Sequence, residues 1–340
     1  VEARRKVASI RDVAKRAGVS ISTVSRVISK KIPVDAKTQE KVRDAIDELE
    51  YRPDLIASGL RSKSGKSIGL LVPRISDPFF TALIDHVDRC VISHGYNLLL
   101  FNTHSDPVFE EQVLDNLVRR HVDGIIFSLV SDESRAMELL TEVDVPVVML
   151  DRVREDTKLM QLVLDNRKAG EIAAEHFLSL GHTSIACLAG PPKIRLCVER
   201  QLGFSETLKR AGHPMDGRHA FNGDFSFESG LAATERVLRA VPAVTAVWAQ
   251  NDLMAAGLLK GLGRAGVKVP EQVSIMGMDD LLVAEIVSPS LSTVAQPVAE
   301  MARRAVEMIL KTKDKMTITR KVLLKPRLVV RESTAKIRKG

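Results

Sequence analysis

The chain has 340 residues, of which 45% are hydrophobic, 27% charged and 4% aromatic. That is the composition of a soluble protein with enough sequence for two or three domains. No apolar run approaches the ~20 residues that span a bilayer, and the basic start VEARRKVASIRD has no apolar segment behind it. Neither a membrane anchor nor a secretory signal is therefore expected, and the expected location is the cytoplasm. The formal charge of +7 is carried wholly by residues 1–66, which hold 16 Lys or Arg and 9 Asp or Glu, while the rest of the chain is balanced. Such concentration points to a polyanionic partner, nucleic acid ahead of a membrane surface. Cys90, Cys187 and Cys197 are odd in number and in no metal-ligand pattern, so free thiols and no bound metal or cofactor are expected.

Ser9 stands three residues before Asp12, an Asp variant of the capping box. A helix from about Ile10 to Ala17 follows, stopped by Gly18 in a left-handed C-cap conformation. Ser20 caps a second helix with Val24, Val27 and Ile28 on its inner face, which leaves Ile21, Ser22, Ser25 and Arg26 near its exposed side. Two such helices joined by a turn of three or four residues form a helix-turn-helix unit, whose second helix enters the major groove of DNA. A third helix, from about Asp35 to Glu50, sets Val42, Ala45, Ile46 and Leu49 on one face and closes a small core. By pattern alone, a three-helix cap packed on the rest of the protein fits as well; the charge excess favours DNA.

Residues 9–53, SIRDVAKRAGVSISTVSRVISKKIPVDAKTQEKVRDAIDELEYRP, resemble the DNA-binding head of the lactose, purine and ribose repressor family of bacterial transcriptional regulators. The resemblance extends over the order of segments from Ser9 to about Glu332. It implies a regulator that binds a pseudo-palindromic double-stranded DNA operator as a homodimer. Ile21, Ser22 and Arg26 then fall at base-reading positions, with Thr23 and Ser25 nearer the phosphates. An Ile offers only apolar contact, for instance to a thymine methyl, whereas Arg26 offers a bidentate contact to guanine or a phosphate contact. Next comes YRPDLIASGLRSKSGKS, residues 51–67. Ile56, Ala57 and Leu60 form a small apolar face there, yet about two helical turns are marginal in water and Gly59 weakens them further. The residues alone allow a flexible tether. The resemblance implies a hinge helix that orders on the operator, with Ala57 and Leu60 entering the minor groove and Leu60 wedging a base step.

From Ser67 the pattern becomes α/β. IGLLVP (68–73), YNLLLF (96–101), GIIFSL (124–129) and VPVVML (145–150) read as buried strands, separated by helical patterns near 79–93, 108–120 and 133–143. A second series follows: strands SIACLAG (184–190), TAVWAQND (245–252) and VSIMGMDD (273–280), with helices near 168–180, 198–211, 227–240, 253–264 and 300–311. Alternation of this kind implies parallel sheets, and two series imply two lobes with a cleft at the strand C-terminal ends. The fold expected is an N-terminal all-α helix-turn-helix head plus an α/β two-lobed periplasmic-binding-protein-like core. The expected division is a head at 1–52, a hinge and linker at 53–66, an effector-binding core at 67–332 and a polar tail at 333–340. Within the core, the first lobe is expected at about 67–162 and 292–322, and the second at about 163–291 and 323–332.

Chemistry-bearing residues follow the strands. Asp77 and Pro78 suit a helix start, but Phe79 and Phe80 directly after it suggest that at least one ring faces a ligand. Asp151 and Arg152 follow the fourth strand, and Arg200, Phe225, Trp248, Asn251 and Asp279 come later. Singly, each has an ordinary structural explanation. Together they supply aromatic platforms, carboxylates, an amide and a guanidinium, which suit a polyol whose hydroxyls need donors and acceptors while its C–H faces stack on rings. The resemblance implies the same sites, with Asp77, Phe79, Asp151, Arg200, Phe225, Asn251 and Asp279 contacting a sugar, and DPFF most like the ribose-type members. A small-molecule effector, a neutral sugar, is the expectation, because three carboxylates outnumber Arg200; a phosphosugar requires Arg152 to turn inward. The alternatives are a purine-type ligand and a catabolite-control type regulator with a phosphoprotein corepressor, for which Arg89, Arg119 and Arg120 are the loose candidates. No nucleophile elbow, metal-binding His motif or GxGxxG string occurs, so no enzymatic activity is expected.

Overall fold

The computed structural model describes residues 8–29, 33–51, 65–131, 135–141, 143–154, 157–240, 244–314, 316 and 320–337. It divides the chain into two compact units, Val1–Gly65 and Lys66–Gly340. The expected hinge positions Ala57 and Leu60 lie outside the described residues.

In the first unit, α1 spans Ile10–Ala17, α2 Ile21–Ser29 and α3 Ala36–Glu48. Each start has a local cause. The Ser9 backbone N–H donates to Asp12 Oδ2 at 2.8 Å, Ser20 Oγ accepts from the Thr23 backbone N–H at 3.1 Å, and Asp35 Oδ1 accepts from Thr38 N–H at 2.9 Å. These side-chain acceptors satisfy N–H groups that a helix start otherwise leaves without partners. Gly18, with φ of 67°, ends α1 in the left-handed conformation that only glycine adopts freely. Val13, Ala14, Val24, Val42 and Ala45 form the small buried core between the three helices.

The second unit contains two six-stranded sheets. In chain order the strands are β1 Ser67–Val72, β2 Asn97–Asn102, β3 Gly124–Phe127, β4 Val147–Leu150, β5 Met160–Leu164 and β6 Ile185–Ala189. They continue as β7 Ala220–Asn222, β8 Ala246–Ala249, β9 Ser274–Asp279, β10 Ser292–Ala295, β11 Lys321–Leu324 and β12 Arg327–Val329. The first sheet has the order β11-β5-β4-β3-β1-β2, all parallel. The second has the order β12-β10-β9-β8-β6-β7, parallel except that β12 runs antiparallel to β10. Strands β1, β3, β4, β6, β8 and β9 are buried along their whole length, as parallel strands covered by helices on both faces require.

The chain crosses between lobes three times, and the crossings lie a few residues from those expected. Strand β5 runs to Leu164, so the first lobe extends past 162. Strand β10 belongs to the second sheet rather than to the first lobe. First-lobe structure resumes with the helix Val298–Lys313, which packs on Pro78–Ser93. Strand β11 closes the first sheet and β12 returns to the second. The reason β10 sits where it does is polar. Thr293 Oγ1 donates to the buried Asp252 Oδ1 at 2.7 Å, and the Ser292 N–H donates to Ser333 Oγ at 2.8 Å.

The segment expected as a polar tail is likewise docked through residue 337. Ser333 is fully buried and donates to the Ile275 carbonyl at 2.6 Å. His176 and His182 hold Thr334 Oγ1 and the Ala335 carbonyl at 2.9 and 3.0 Å.

One glycine pair sets how closely two helices of the second lobe pack. The helices Asn166–Ser179 and Arg195–Arg210 pack backbone to backbone: a Cβ on Gly170 would lie 2.0 Å from the Arg200 carbonyl, and one on Gly203 would lie 1.9 Å from that of Arg167. Only glycine permits that approach, and the approach brings Arg200 to the lobe boundary.

Candidate functional site

A narrow cleft, partly open to solvent, lies between the two lobes. The first lobe contributes Asp77, Phe79, Phe80, Asp151 and Arg152 to its walls. The second lobe contributes Leu196, Arg200, Phe225, Asn251 and Asp279, and Gln296 enters from the second crossing. Nine of the ten expected effector residues therefore meet in one place.

Strand ends position most of them. Asp77 starts the helix Pro78–Ser93, its Oδ1 accepting from Phe79 N–H at 2.9 Å, so it caps a helix and lines the cleft at once. Phe79 and Phe80 pack edge to face with centroids 5.1 Å apart, and both are part of the lobe core as well as of the wall. The Arg152 guanidinium lies over the Phe80 ring at 5.8 Å. Arg200, 3% exposed, donates from Nε to Asn166 Oδ1 and from Nη1 to the Gln250 carbonyl, each at 2.9 Å. Asn251 caps the helix Asp252–Arg264 through Oδ1 to Met254 N–H and donates Nδ2 to the Phe225 carbonyl, each at 2.9 Å. Asp279 accepts from Gln296 Nε2 at 2.7 Å.

Backbone strain concentrates in the same walls. Asp151, Phe225 and Asp279 have φ of 66°, 70° and 119°, conformations that cost on the order of 1–3 kcal/mol each for non-glycine residues. At Asp151 and Asp279 this turn falls at the end of β4 and β9, and at Phe225 it falls in the loop after β7.

The electrostatics follow from burial. Removal from water pushes the carboxyls of Asp77 and Asp151 above the usual carboxylate range, against the opposing pull of Arg152 and Arg200. Burial pushes Asp279 well above that range too, and the neighbouring Asp252 carboxyl adds to the push. Burial also lowers Arg152. Two buried polar atoms in the cleft have no partner within the protein: Arg152 Nε, a donor, and Gln296 Oε1, an acceptor.

Trp248 is the expected effector residue that does not belong. It is fully buried in the second lobe, packs on Phe204 with centroids 4.9 Å apart, and donates Nε1 to the Gly277 carbonyl at 3.3 Å. It lies within β8 rather than past its end, so its ring faces a covering helix. Two wall residues, Leu196 and Gln296, were missing from the expected set. Gln296 directly follows β10, and its signal is the one that marked the others: a polar residue just past a strand.

In the head, Ile21 is 39% exposed, Ser22 and Arg26 are exposed, and Thr23 and Ser25 are half-buried. Ser20 Oγ lies 2.7 Å from Ser22 Oγ and 2.8 Å from Thr23 Oγ1, which ties the start of α2 together. Arg89 lies on the helix Pro78–Ser93 and Arg119 on the helix Pro107–Arg119. Each pairs with an aspartate four residues earlier on its own helix, Asp85 and Asp115, and the two helices feed separate cores of the first lobe. Among the described residues no helix is long and apolar enough to cross a membrane, and no group of three or more acidic, His or Cys side chains is placed to hold a metal.

A helix-turn-helix head in one unit and a two-lobed α/β core with a polar cleft in the other define a ligand-binding transcriptional regulator. The comparisons agree. The model described as bacterial regulatory proteins, lacI family, matches residues 9–54, and a periplasmic binding protein-like domain matches 174–334. The HTH-type transcriptional repressor PurR of Photobacterium profundum is 35% identical, the match covering 96% of this chain and 98% of the relative. A lac repressor dimer bound to operator and the anti-inducer ONPF superposes with a TM-score of 0.88 at 27% identity, over 97% of this chain and all of that one. A LacI family transcriptional regulator from Enterococcus faecium with bound ribose gives a TM-score of 0.72 at 30% identity, over 80% of this chain and all of that one. The chain belongs to the lacI family of bacterial transcriptional regulators.

Proposed function

We propose that this chain is a sugar-responsive repressor that binds a pseudo-palindromic operator as a homodimer and takes a polyol the size of a monosaccharide into its interlobe cleft. The observation that carries the reading is the unpartnered pair in that cleft, the Arg152 Nε donor and the Gln296 Oε1 acceptor. A buried polar atom without a partner costs ~1–3 kcal/mol, and hydroxyl groups both donate and accept, so a polyol satisfies the two at once. The remaining wall supports it: three phenylalanines for C–H faces, and Asp77, Asp151, Arg200, Asn251 and Asp279 for hydroxyls. The Enterococcus faecium relative with bound ribose supports the same class.

The effector touches both lobes, so it favours one lobe orientation over another by its differential affinity for them. In a dimer that orientation sets the spacing of two hinges at residues 53–66. Each hinge orders on the operator and passes Ala57 and Leu60 into the minor groove. Ile21, Ser22 and Arg26 read bases, and Thr23 and Ser25 contact phosphates. Apolar side chains left exposed on both lobes support the dimer: Leu100, Val108 and Phe109 on the first, Leu282 and Ile286 on the second, the last two 71% and 70% exposed. Thermal unfolding of the full chain with ribose, xylose, glucose, cellobiose and hypoxanthine tests the effector class. A rise in Tm with one monosaccharide is expected. A rise with hypoxanthine alone replaces the sugar by a purine.

A further inference from the structure

Two adjacent aspartates at the end of β9 take different partners. Asp279 lines the effector cleft, whereas Asp280 pairs with arginines of β12 and the segment just past it. Both residues have positive φ, 119° and 66°, a conformation that persists only where the surroundings hold it.

Three contacts hold this turn. The Asp279 carbonyl accepts from Gln296 N–H at 3.2 Å. Leu281 N–H donates to the buried Asp252 Oδ2 at 2.9 Å. Between them, Asp280 Oδ1 accepts from Arg331 Nη2 at 2.7 Å. Arg331 is in turn fixed on several sides. Its Nη1 donates to the Leu291 carbonyl at 3.0 Å, its Nη2 also reaches Glu285 Oε1 at 3.2 Å, and its backbone N–H donates to Ser292 Oγ at 2.9 Å. The guanidinium thus ties the turn to the start of β10, while Gln296 ties it to the residue past the end of β10.

Exposure separates the two arginines on Asp280. The Arg331 and Asp280 side chains are 15% and 16% exposed, whereas Arg327, whose Nη2 meets Asp280 Oδ2 at 3.0 Å, is 70% exposed. An exposed pair contributes little. A pair withdrawn from water is screened little, and removing one member leaves the other charge uncompensated. Arg331 is the cation on which the turn depends.

We propose that Arg331 is a positioning residue of the effector cleft. It does not line the cleft; it holds, through Asp280, the turn that delivers the Asp279 carboxyl to the effector. This assignment rests on the proposed role of Asp279 as an effector contact.

Isothermal titration of the full chain with D-ribose, D-glucose and hypoxanthine tests it, on wild type, Arg331→Met, Asp279→Gly and the double variant. Glycine takes the positive φ at 279 without strain, so that change removes the carboxyl and leaves the turn. For a ligand that the wild type binds, Arg331→Met lowers affinity about fivefold or more, the order expected for one lost hydrogen bond. In the Asp279→Gly background the same substitution changes affinity by less than about twofold, because the group that Arg331 places is gone. Equal losses in the two backgrounds overturn the assignment, and so does wild-type affinity in a folded Arg331→Met. Should Arg331→Met fail to fold, Asp280→Asn, which removes the charge and keeps the shape, takes its place in the same comparison. Binding of hypoxanthine alone, with the coupling to Asp279 intact, upholds Arg331 while the sugar reading falls. Should the wild type bind none of the three, that reading falls as well, and crystal structures of the wild type and Asp280→Asn decide the positioning. An Asp279 carboxyl displaced from Gln296 Nε2 in the variant supports it, and one still within hydrogen-bond distance overturns it.

Discussion

Replacing Asp279 by Asn separates the cleft's chemistry from its architecture. Asp279 is 5% exposed, accepts from Gln296 Nε2 at 2.7 Å and lies beside the buried Asp252. Asparagine keeps the shape, keeps an Oδ1 for Gln296 and tolerates the positive φ of 119° better than most side chains. What it loses is the carboxyl that a sugar hydroxyl uses. A hydrogen bond between neutral groups is worth ~0.5–1.5 kcal/mol, so effector affinity falls by roughly 2- to 12-fold at ~1.4 kcal/mol per tenfold. Stability moves the other way. Two neighbouring buried carboxyls resist ionising together, and removing one relieves Asp252 by on the order of 1 kcal/mol at about pH 8, where ionisation is demanded, and by little at about pH 5. Isothermal titration with the sugar that stabilises the wild type, alongside urea unfolding at the two pH values, measures both quantities. Wild-type affinity in the variant removes Asp279 from the site. A loss of stability at both pH values shows that the carboxyl is a structural partner and refutes the electrostatic argument.

Gly203→Ala forces a methyl to within 1.9 Å of the Arg167 carbonyl; a loss of ~1–3 kcal/mol in urea unfolding is expected, with effector affinity reduced because Arg200 shifts with its helix. Ser20→Ala removes the cap of α2 and costs ~1 kcal/mol of head stability, seen as weaker operator binding with unchanged effector binding. The stability of the core falls as pH rises from the ordinary carboxylate value through the raised native values of Asp77, Asp151 and Asp279. Over that window the native state holds protons that the unfolded chain has released. Asp151→Asn flattens this slope in denaturant melts across the acidic range, and an unchanged slope contradicts it.

Long apolar strands and capped helices were legible in the sequence because their signals are local. Ser9 with Asp12, Ser20, Asp35 and Gly18 mark the head's helix ends at the positions observed. Five strands were not legible. MQLVL, AFN, STVA, KVLL and RLV are three to five residues each; several carry polar residues and none has a sustained period. Their place is decided by partners distant in sequence, such as Thr293 with Asp252 and Ser292 with Ser333. Missing β10 meant missing Gln296 at its end, and it moved a lobe boundary. Trp248 misled for a related reason: its residue type suits a sugar platform, but strand phase, which only the sheet fixes, turns it onto Phe204. The orphan atoms of Arg152 and Gln296, which narrow the ligand's chemistry most, are visible only once the cleft is assembled.

The central claim is that effector binding in the cleft changes DNA affinity in the head. It is tested most directly by fluorescence anisotropy of a duplex selected by the full chain from a random pool, titrated with the sugar that raises Tm. The account predicts that the full chain binds this duplex in a salt-dependent manner, that residues 66–340 alone do not, and that saturating sugar shifts the duplex Kd severalfold or more. A sugar that saturates the protein and leaves that Kd unchanged contradicts it.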